Sequence, residues 1–202
     1  MLNYLKDKLK IQKINDIPKY GRNIDFVFQR LEKKYLNKLK KFDCTDNKIN
    51  KFFQKHAIDD DESVTHLYIN KNNNDIIACV SLSCSGIILD IDNYSYIYPA
   101  VEIKMFAVDK KYQGKPFSNG SDKTLSDVIF NNVLFDVIDS FTENYCGATH
   151  VILYSKIKAV HFYQKHNFHS FKEYLVDDKS YSLKRNDSYT VSECIPLFFK
   201  YN

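Results

Sequence analysis

Two stretches hold the residues best suited to chemistry: Pro99–Phe117, PAVEIKMFAVDKKYQGKPF, and His150–Phe168, HVILYSKIKAVHFYQKHNF. The first reads as an apolar strand running into a lysine-flanked Gln113-Gly114-Lys115 turn. Such a turn ahead of a helix suits an anion, because the orphan N–H groups of the helix start and the helix dipole act together there. The second reads as a short apolar strand, Val151–Tyr154, and then a helix that carries Tyr163. The six histidines, His56, His66, His150, His161, His166 and His169, show no metal-ligand spacing, and the five cysteines form no Cys-x-x-Cys pair. Cys79 and Cys84 fall in a strand and read as core residues. No metal site and no Ser-His-Asp arrangement is expected.

The elements that must position these residues follow from periodicity. Leu2, Leu5, Leu9 and Ile14 predict an N-terminal helical extension over residues 1–22, with one domain over 23–202. Asp25–Leu31 is expected as a first strand. Thr45 or Asp46 caps a helix over Lys48–Ile58, with Ile49, Phe52, Phe53 and Ala57 on one side. Val64–Ile69 and Ile76–Ile88 flank a hairpin turn at Lys71–Asp75. Tyr98–Val108 is the next strand. A long helix beginning near Ser121 and reaching about Phe141 presents Leu125, Val128, Ile129, Asn132 and Val133. Val151–Tyr154 and a helix over Ile157–His166 come next. The tail Tyr189–Phe199, interrupted by Pro196, is expected as an edge strand or hairpin. The fold class is mixed α+β, one central sheet flanked by helices.

A 202-residue chain that is 44% hydrophobic can bury one sizeable core. It holds no apolar run of the roughly 20 residues that span a bilayer, no signal-peptide pattern and no disulfide framework, so a cytoplasmic setting without membrane contact is expected. Charge is uneven. Residues 1–55 carry 15 Lys+Arg against 6 Asp+Glu, and the remainder 14 against 19. A basic front half attracts phosphates of a nucleic acid or of a nucleotide. A solvated helix face with lysine stems laid over apolar residues is the other reading.

Strand, anion-compatible turn, long helix, strand and Tyr-bearing helix, in that order, resemble the acetyl-CoA-binding half of the GNAT family of N-acetyltransferases, over about Phe42 to Phe168. The resemblance implies a mostly antiparallel sheet that splays open to admit acetyl-CoA as co-substrate. It implies that Met105, Phe106, Ala107 and Val108 offer backbone groups to the pantetheine arm; a core strand with a bulge is the plainer reading, and both can hold. Lys111-Tyr112-Gln113-Gly114-Lys115 matches the lead-in of the family's pyrophosphate loop, Q/R-x-x-G-x-G/A, and Gly120 sits just before the expected helix start, so the resemblance implies cofactor contacts at Gln113, Gly114, Lys115, Asn119 and Gly120. Here Pro116-Phe117-Ser118-Asn119 lengthens that loop, and Pro116 removes one donor.

In His161-Phe162-Tyr163-Gln164-Lys165-His166-Asn167-Phe168, Tyr163 stands where the family's F-Y-x-x-x-G-F signature has its tyrosine, with Asn167 in place of the glycine. The resemblance implies that the Tyr163 hydroxyl protonates the leaving thiolate; a core tyrosine is the alternative. Glu102 matches the position of a general base in many members. By the period-two rule Glu102, Lys104 and Phe106 share a face opposite Ile103 and Met105, and an exposed Glu-Lys pair explains Glu102 equally well.

The acceptor implied is a primary amine on a small molecule, a protein or an aminoacyl-tRNA, attacked directly in a ternary complex. Phe42-Asp43-Cys44 and Ile49–Ala57 are similar to the front end of a branch that includes toxins acetylating aminoacyl-tRNA. A degenerate GNAT-fold protein that binds CoA without catalysis is the remaining alternative, and a homodimer fits the family.

Overall fold

The computed structural model describes residues 25–91, 94–118, 121–171, 181–183 and 194–201. The helix expected over residues 1–22 lies outside them, as do Asn119 and Gly120. Among the described residues eight strands form one sheet: β1 (Phe26–Arg30), β2 (Val64–Asn70), β3 (Ile76–Ile91), β4 (Tyr94–Val108), β5 (His150–Lys156), β6 (His169–Ser170), β7 (Tyr181–Leu183) and β8 (Cys194–Lys200). The order is β1-β2-β3-β4-β5-β8-β6, with β7 against β3. All neighbours run antiparallel except β4 and β5, which are parallel. That pair needs a crossover, and the long helix between them supplies it.

The helical elements divide between the two faces. Helix α1 (Leu36–Leu39) is entered through a 3-10 turn at Lys33–Tyr35, and α2 (Asn47–Lys51) runs on as a π-helical stretch, Phe52–His56. Asp46 caps α2, its carboxylate accepting from the N–H groups of Lys48 and Ile49. Phe52 and Phe53, adjacent in this stretch, both enter the core. Leu39, Phe42, Phe52 and Phe53 pack there against Leu67, Ile69, Cys79 and Ala107.

On the opposite face lie α3 (Leu125–Asn132), its π-helical continuation Val133–Ile138, and α4 (Asp139–Tyr145). Leu125, Ile129, Phe130, Val133 and Leu134 are fully buried against Tyr68, Val80, Val101, Ile103 and Val108. The last helix, α5 (Val160–Gln164), follows a 3-10 turn at Ile157–Ala159. Among the described residues no helix is long and apolar enough to cross a membrane.

Three expectations need correcting. The crossover helix starts at Leu125 rather than near Ser121, because Thr124 and Asp127 form a capping box. The tail strand β8 is not an edge but lies between β5 and β6; Pro196 is tolerated because β6 pairs only at Leu197 and Phe198. Cys79 is fully buried as expected, yet Cys84 is exposed.

Phe130 joins the helical layer to the sheet, with ring centroids 5.1 Å from Phe106, 5.2 Å from Phe162 and 5.9 Å from Phe168. Phe130→Ala should cost about 3–5 kcal/mol of unfolding free energy, read from urea denaturation. A loss below about 1 kcal/mol would contradict this packing.

Candidate functional site

Strands β4 and β5 pair from Ala100↔His150 to Ile103↔Leu153 and then part. Beyond that point β4 stays with β3 as far as Val108↔Ala78, and β5 stays with β8 as far as Lys156↔Cys194. The inner edges of Lys104–Val108 and Tyr154–Lys156 therefore face one another across a wedge with no ladder between them. The cause is a β-bulge. Ser81 pairs with Met105 and Leu82 with Ile103, so Lys104 is one residue too many on β4. Such an insertion bends the strand that carries it.

The bulge also changes which side chains share a face. Phe106 packs on the α3 side with Val101 and Ile103, while Met105 and Ala107 join the α1–α2 side. The expected common face of Glu102 and Phe106 is thus broken, because period two fails across an inserted residue. Glu102 pairs in register with Ser83 and Ile152 at the closed end of the wedge. It is 7% exposed, so the reading as a solvated Glu-Lys pair does not hold. Lys104 is engaged elsewhere: its Nζ lies 3.2 Å from Asp60 Oδ2 and 2.9 Å from Glu62 Oε2. Burial works against the Lys104 charge, but these two carboxylates outweigh it and raise its pKa. Across the wedge, Lys156 of β5 forms an ion pair with Asp46 at the α2 cap.

The turn after β4 is tied down before it can serve a ligand. The Gln113 amide donates to the carbonyls of Val108 at 2.7 Å and Cys44 at 3.3 Å, which commits its side chain to the framework. Gly114 has φ +66°, and a Cβ there would meet nothing within 4 Å, so glycine serves the backbone conformation rather than space. The N–H groups of Gly114 and Lys115 have no hydrogen-bond partner among the described residues.

The lengthened loop then folds back on the start of α3. Pro116 bridges to Thr124, the Phe117 N–H donates to Lys123 O at 3.0 Å, and the Leu125 N–H to Lys115 O at 2.9 Å. The Thr124 N–H donates to Asp127 Oδ2 and the Asp127 N–H to Thr124 Oγ1. The helix start has therefore used several of its own donors, and among the described residues the Gly114–Lys115 turn and nearby lysines also offer groups that suit an anion.

Tyr163 sits on α5, its ring 5.3 Å from Phe130, 5.2 Å from Phe162 and 6.0 Å from Phe168. Phe162 stacks at 6.1 Å on Phe106, a residue of the β4 edge of the wedge. The helix ends with the Tyr163 carbonyl accepting from the N–H groups of His166 and Phe168, and with Asn167 at φ +63°, the left-handed conformation that asparagine tolerates. Among the described residues the Tyr163 hydroxyl has no hydrogen-bond partner. Burial pushes its phenol above the ordinary range, so it stays protonated and able to donate.

Two features had no signal at fixed sequence spacing. One is the Lys104–Asp60–Glu62 group. The other is an open groove of about 570 Å³ lined by Lys40, Lys41, Lys51, Lys55 and Lys110 with Asp43, Asn47, Asn50 and Gln54, in which Lys110 is paired with Asp43 at 2.7 Å. A third could have been found: His166 is three residues past Tyr163, on the same side of the helix end. Its ring nitrogens approach Asn131 and Asp127.

No protein-family model matches the chain, and no curated protein matches it in sequence. Solved structures do match in shape. A bacterial toxin aligns at 15% identity over 88% of this chain and 91% of its own, with a TM-score of 0.62. AtaT complexed with acetyl-methionyl-tRNAfMet aligns at 16% identity over 87% of this chain and 95% of its own, with a TM-score of 0.59. AtaTR bound with AcCoA aligns at 16% identity over 87% and 93%, with a TM-score of 0.57. At such identities the likeness is one of fold, and the chain has the GNAT-type α+β acyltransferase fold.

Asp127 makes this site sensitive to acid. Burial opposes its charge, but Lys165 and the Thr124 N–H and hydroxyl outweigh it and hold the carboxyl at about 2, against 3.8 ordinarily. A depressed folded value stabilises the protein above about pH 4, and that stabilisation is lost as the pH falls towards about 2. Asp127→Asn should lower the melting temperature at neutral pH and flatten its fall across that acid window. An unchanged acid limb would show that the carboxylate contributes nothing.

Proposed function

We propose that the chain is an acetyl-CoA-dependent N-acetyltransferase that moves an acetyl group to a primary amine by direct attack in a ternary complex. The observation that carries this reading is the wedge between β4 and β5, flanked by a helix whose Tyr163 hydroxyl is protonated and unpartnered. The backbone of Met105, Phe106, Ala107 and Val108 is the edge along which a pantetheine amide pairs. Gly114 and Lys115, with Lys123 nearby, meet the pyrophosphate. Because Thr124 and Asp127 cap the helix themselves, side-chain ammonium groups carry more of this contact than backbone donors do. Asn119 and Gly120 belong to the same loop and are assigned with it.

In the reaction the amine nitrogen attacks the thioester carbonyl, a C–N bond forms and the C–S bond breaks. The Tyr163 proton passes to the departing sulfur. The proton lost by the nitrogen leaves through Glu102 or to water, and the phenolate recovers a proton from water. The acceptor decides whether a base is needed. A lysine-like amine of pKa about 10.4 is neutral in roughly one molecule in 2,500 at pH 7, whereas an α-amine of about 7.7–8.0 is neutral in roughly one in ten.

An α-amine is already neutral in an appreciable fraction at pH 7 and needs no protein base, so it is the better acceptor. The lysine-lined groove beside α2 favours an acceptor carried on a nucleic acid, and AtaT was solved with acetyl-methionyl-tRNAfMet. Aminoacyl-tRNA is therefore the acceptor we infer, in the manner of a toxin, with the lysine-lined groove as its landing surface.

Transfer of radiolabelled acetyl from acetyl-CoA to a pool of aminoacylated tRNA tests this reading. Tyr163→Phe should lower kcat by about 10²-fold or more and leave acetyl-CoA affinity within about twofold. Glu102→Gln should cost no more than a few-fold with this acceptor. Replacing Lys40, Lys51 and Lys55 together by Gln should weaken tRNA binding and reduce its salt slope by about three, with acetyl-CoA binding unchanged. A wild-type protein that binds acetyl-CoA but acetylates no aminoacyl-tRNA would overturn the acceptor assignment.

A further inference from the structure

His166 is buried at the end of α5, and both of its ring nitrogens reach across to α3. Nδ1 lies 2.9 Å from Asn131 Oδ1 and Nε2 lies 3.2 Å from Asp127 Oδ1. Its ring is 5.0 Å from both Phe130 and Phe162, the two rings that also touch Tyr163. The His166 N–H donates to the Tyr163 carbonyl at 2.9 Å. One end of this residue is thus fixed to the tyrosine through the backbone, and the other end to α3 through the imidazole.

We propose that His166 is a positioning residue for Tyr163, locking the tyrosine-bearing helix against the capped start of α3. The proposal rests on the acetyltransferase reading above. An apolar side chain would fill this site between two phenylalanines without the cost of desolvating an imidazole. What an apolar side chain cannot do is set direction. Two hydrogen bonds to residues four apart on α3 fix how α5 is rotated as well as how close it sits.

Asp127 is the shared reference point. It accepts from Thr124 and His166 and forms an ion pair with Lys165, so the loop that follows Gly114 and the helix that carries Tyr163 are both held by one carboxylate. The charged groups facing the ring are Asp127 on α3, Lys165 on its own helix end and Lys123 on the loop before α3. The ring presents Nε2 to the Asp127 carboxylate and Nδ1 to the Asn131 side-chain amide, so each nitrogen faces a polar partner on α3. Burial pushes its pKa down despite Asp127, which keeps the ring neutral near pH 7.

The test is a double-mutant cycle on the acetyl transfer described above, using radiolabelled acetyl-CoA and pooled aminoacylated tRNA. His166→Ala should lower kcat about tenfold with KM for acetyl-CoA within about twofold, and His166→Gln should recover much of that loss by keeping one N–H to Asp127. Combined with Tyr163→Phe, His166→Ala should add almost nothing, because the residue acts through the tyrosine. If His166→Ala does not fold, Asn131→Ala removes the Nδ1 partner alone and should show a smaller loss with the same non-additivity. Additive losses, or an unchanged kcat in either variant, would overturn the proposal. A wild-type protein without acetyl transfer to any acceptor would instead remove the reading on which it stands.

Discussion

One inserted residue on β4 governs this site. Because Lys104 has no counterpart on β3, the strand bends where its pairing with β5 ends, and the two strands separate while each keeps its outer neighbour. Without the bulge, β4 and β5 would continue as an ordinary parallel ladder and their backbone groups would satisfy each other. With it, several inner-edge groups are left facing a wedge. The same insertion puts Met105 on the α1–α2 side and Phe106 on the α3 side. The Lys104 side chain is held between Asp60 and Glu62, so the segment before β2 is anchored to the residue that opens the sheet.

The two halves of the candidate site solve different physical problems. The wedge offers backbone to an amide-bearing chain and needs no particular side chains to do so. On the acetyl-CoA reading the turn after it meets negative charge, and there this sequence departs from a bare helix terminus. Thr124 and Asp127 satisfy donors that an anion would otherwise use, which stabilises α3 and weakens its start as a phosphate site. Gly114, in the left-handed conformation, keeps the preceding turn open, and Lys115 and Lys123 restore positive charge around it.

Strand and helix identities were readable because alternation and the 3.6-residue period are local signals. Asn167, standing where a glycine would be, was readable as a residue that tolerates positive φ, and it adopts it. The order that brings Gln113-Gly114-Lys115 and Tyr163 onto neighbouring elements was readable too. The bulge at Lys104 defeated the period-two assignment of Phe106, since alternation assumes an uninterrupted ladder. The interior place of β8 was hidden because strand order depends on packing across the chain, and Pro196 argued locally for an edge. Lys156 with Asp46, and Lys104 with Asp60, join residues 110 and 44 positions apart, a distance over which single-sequence patterns carry no information.

The central claim is that the wedge and the turn after it form one acetyl-CoA site. Amide hydrogen exchange with and without saturating acetyl-CoA tests it residue by residue. The account predicts slower exchange at Met105–Val108 and at Gly114 and Lys115, with Phe26–Arg30 on the far side of the sheet unaffected. Protection that spares the wedge, or that is uniform across the sheet, would contradict it.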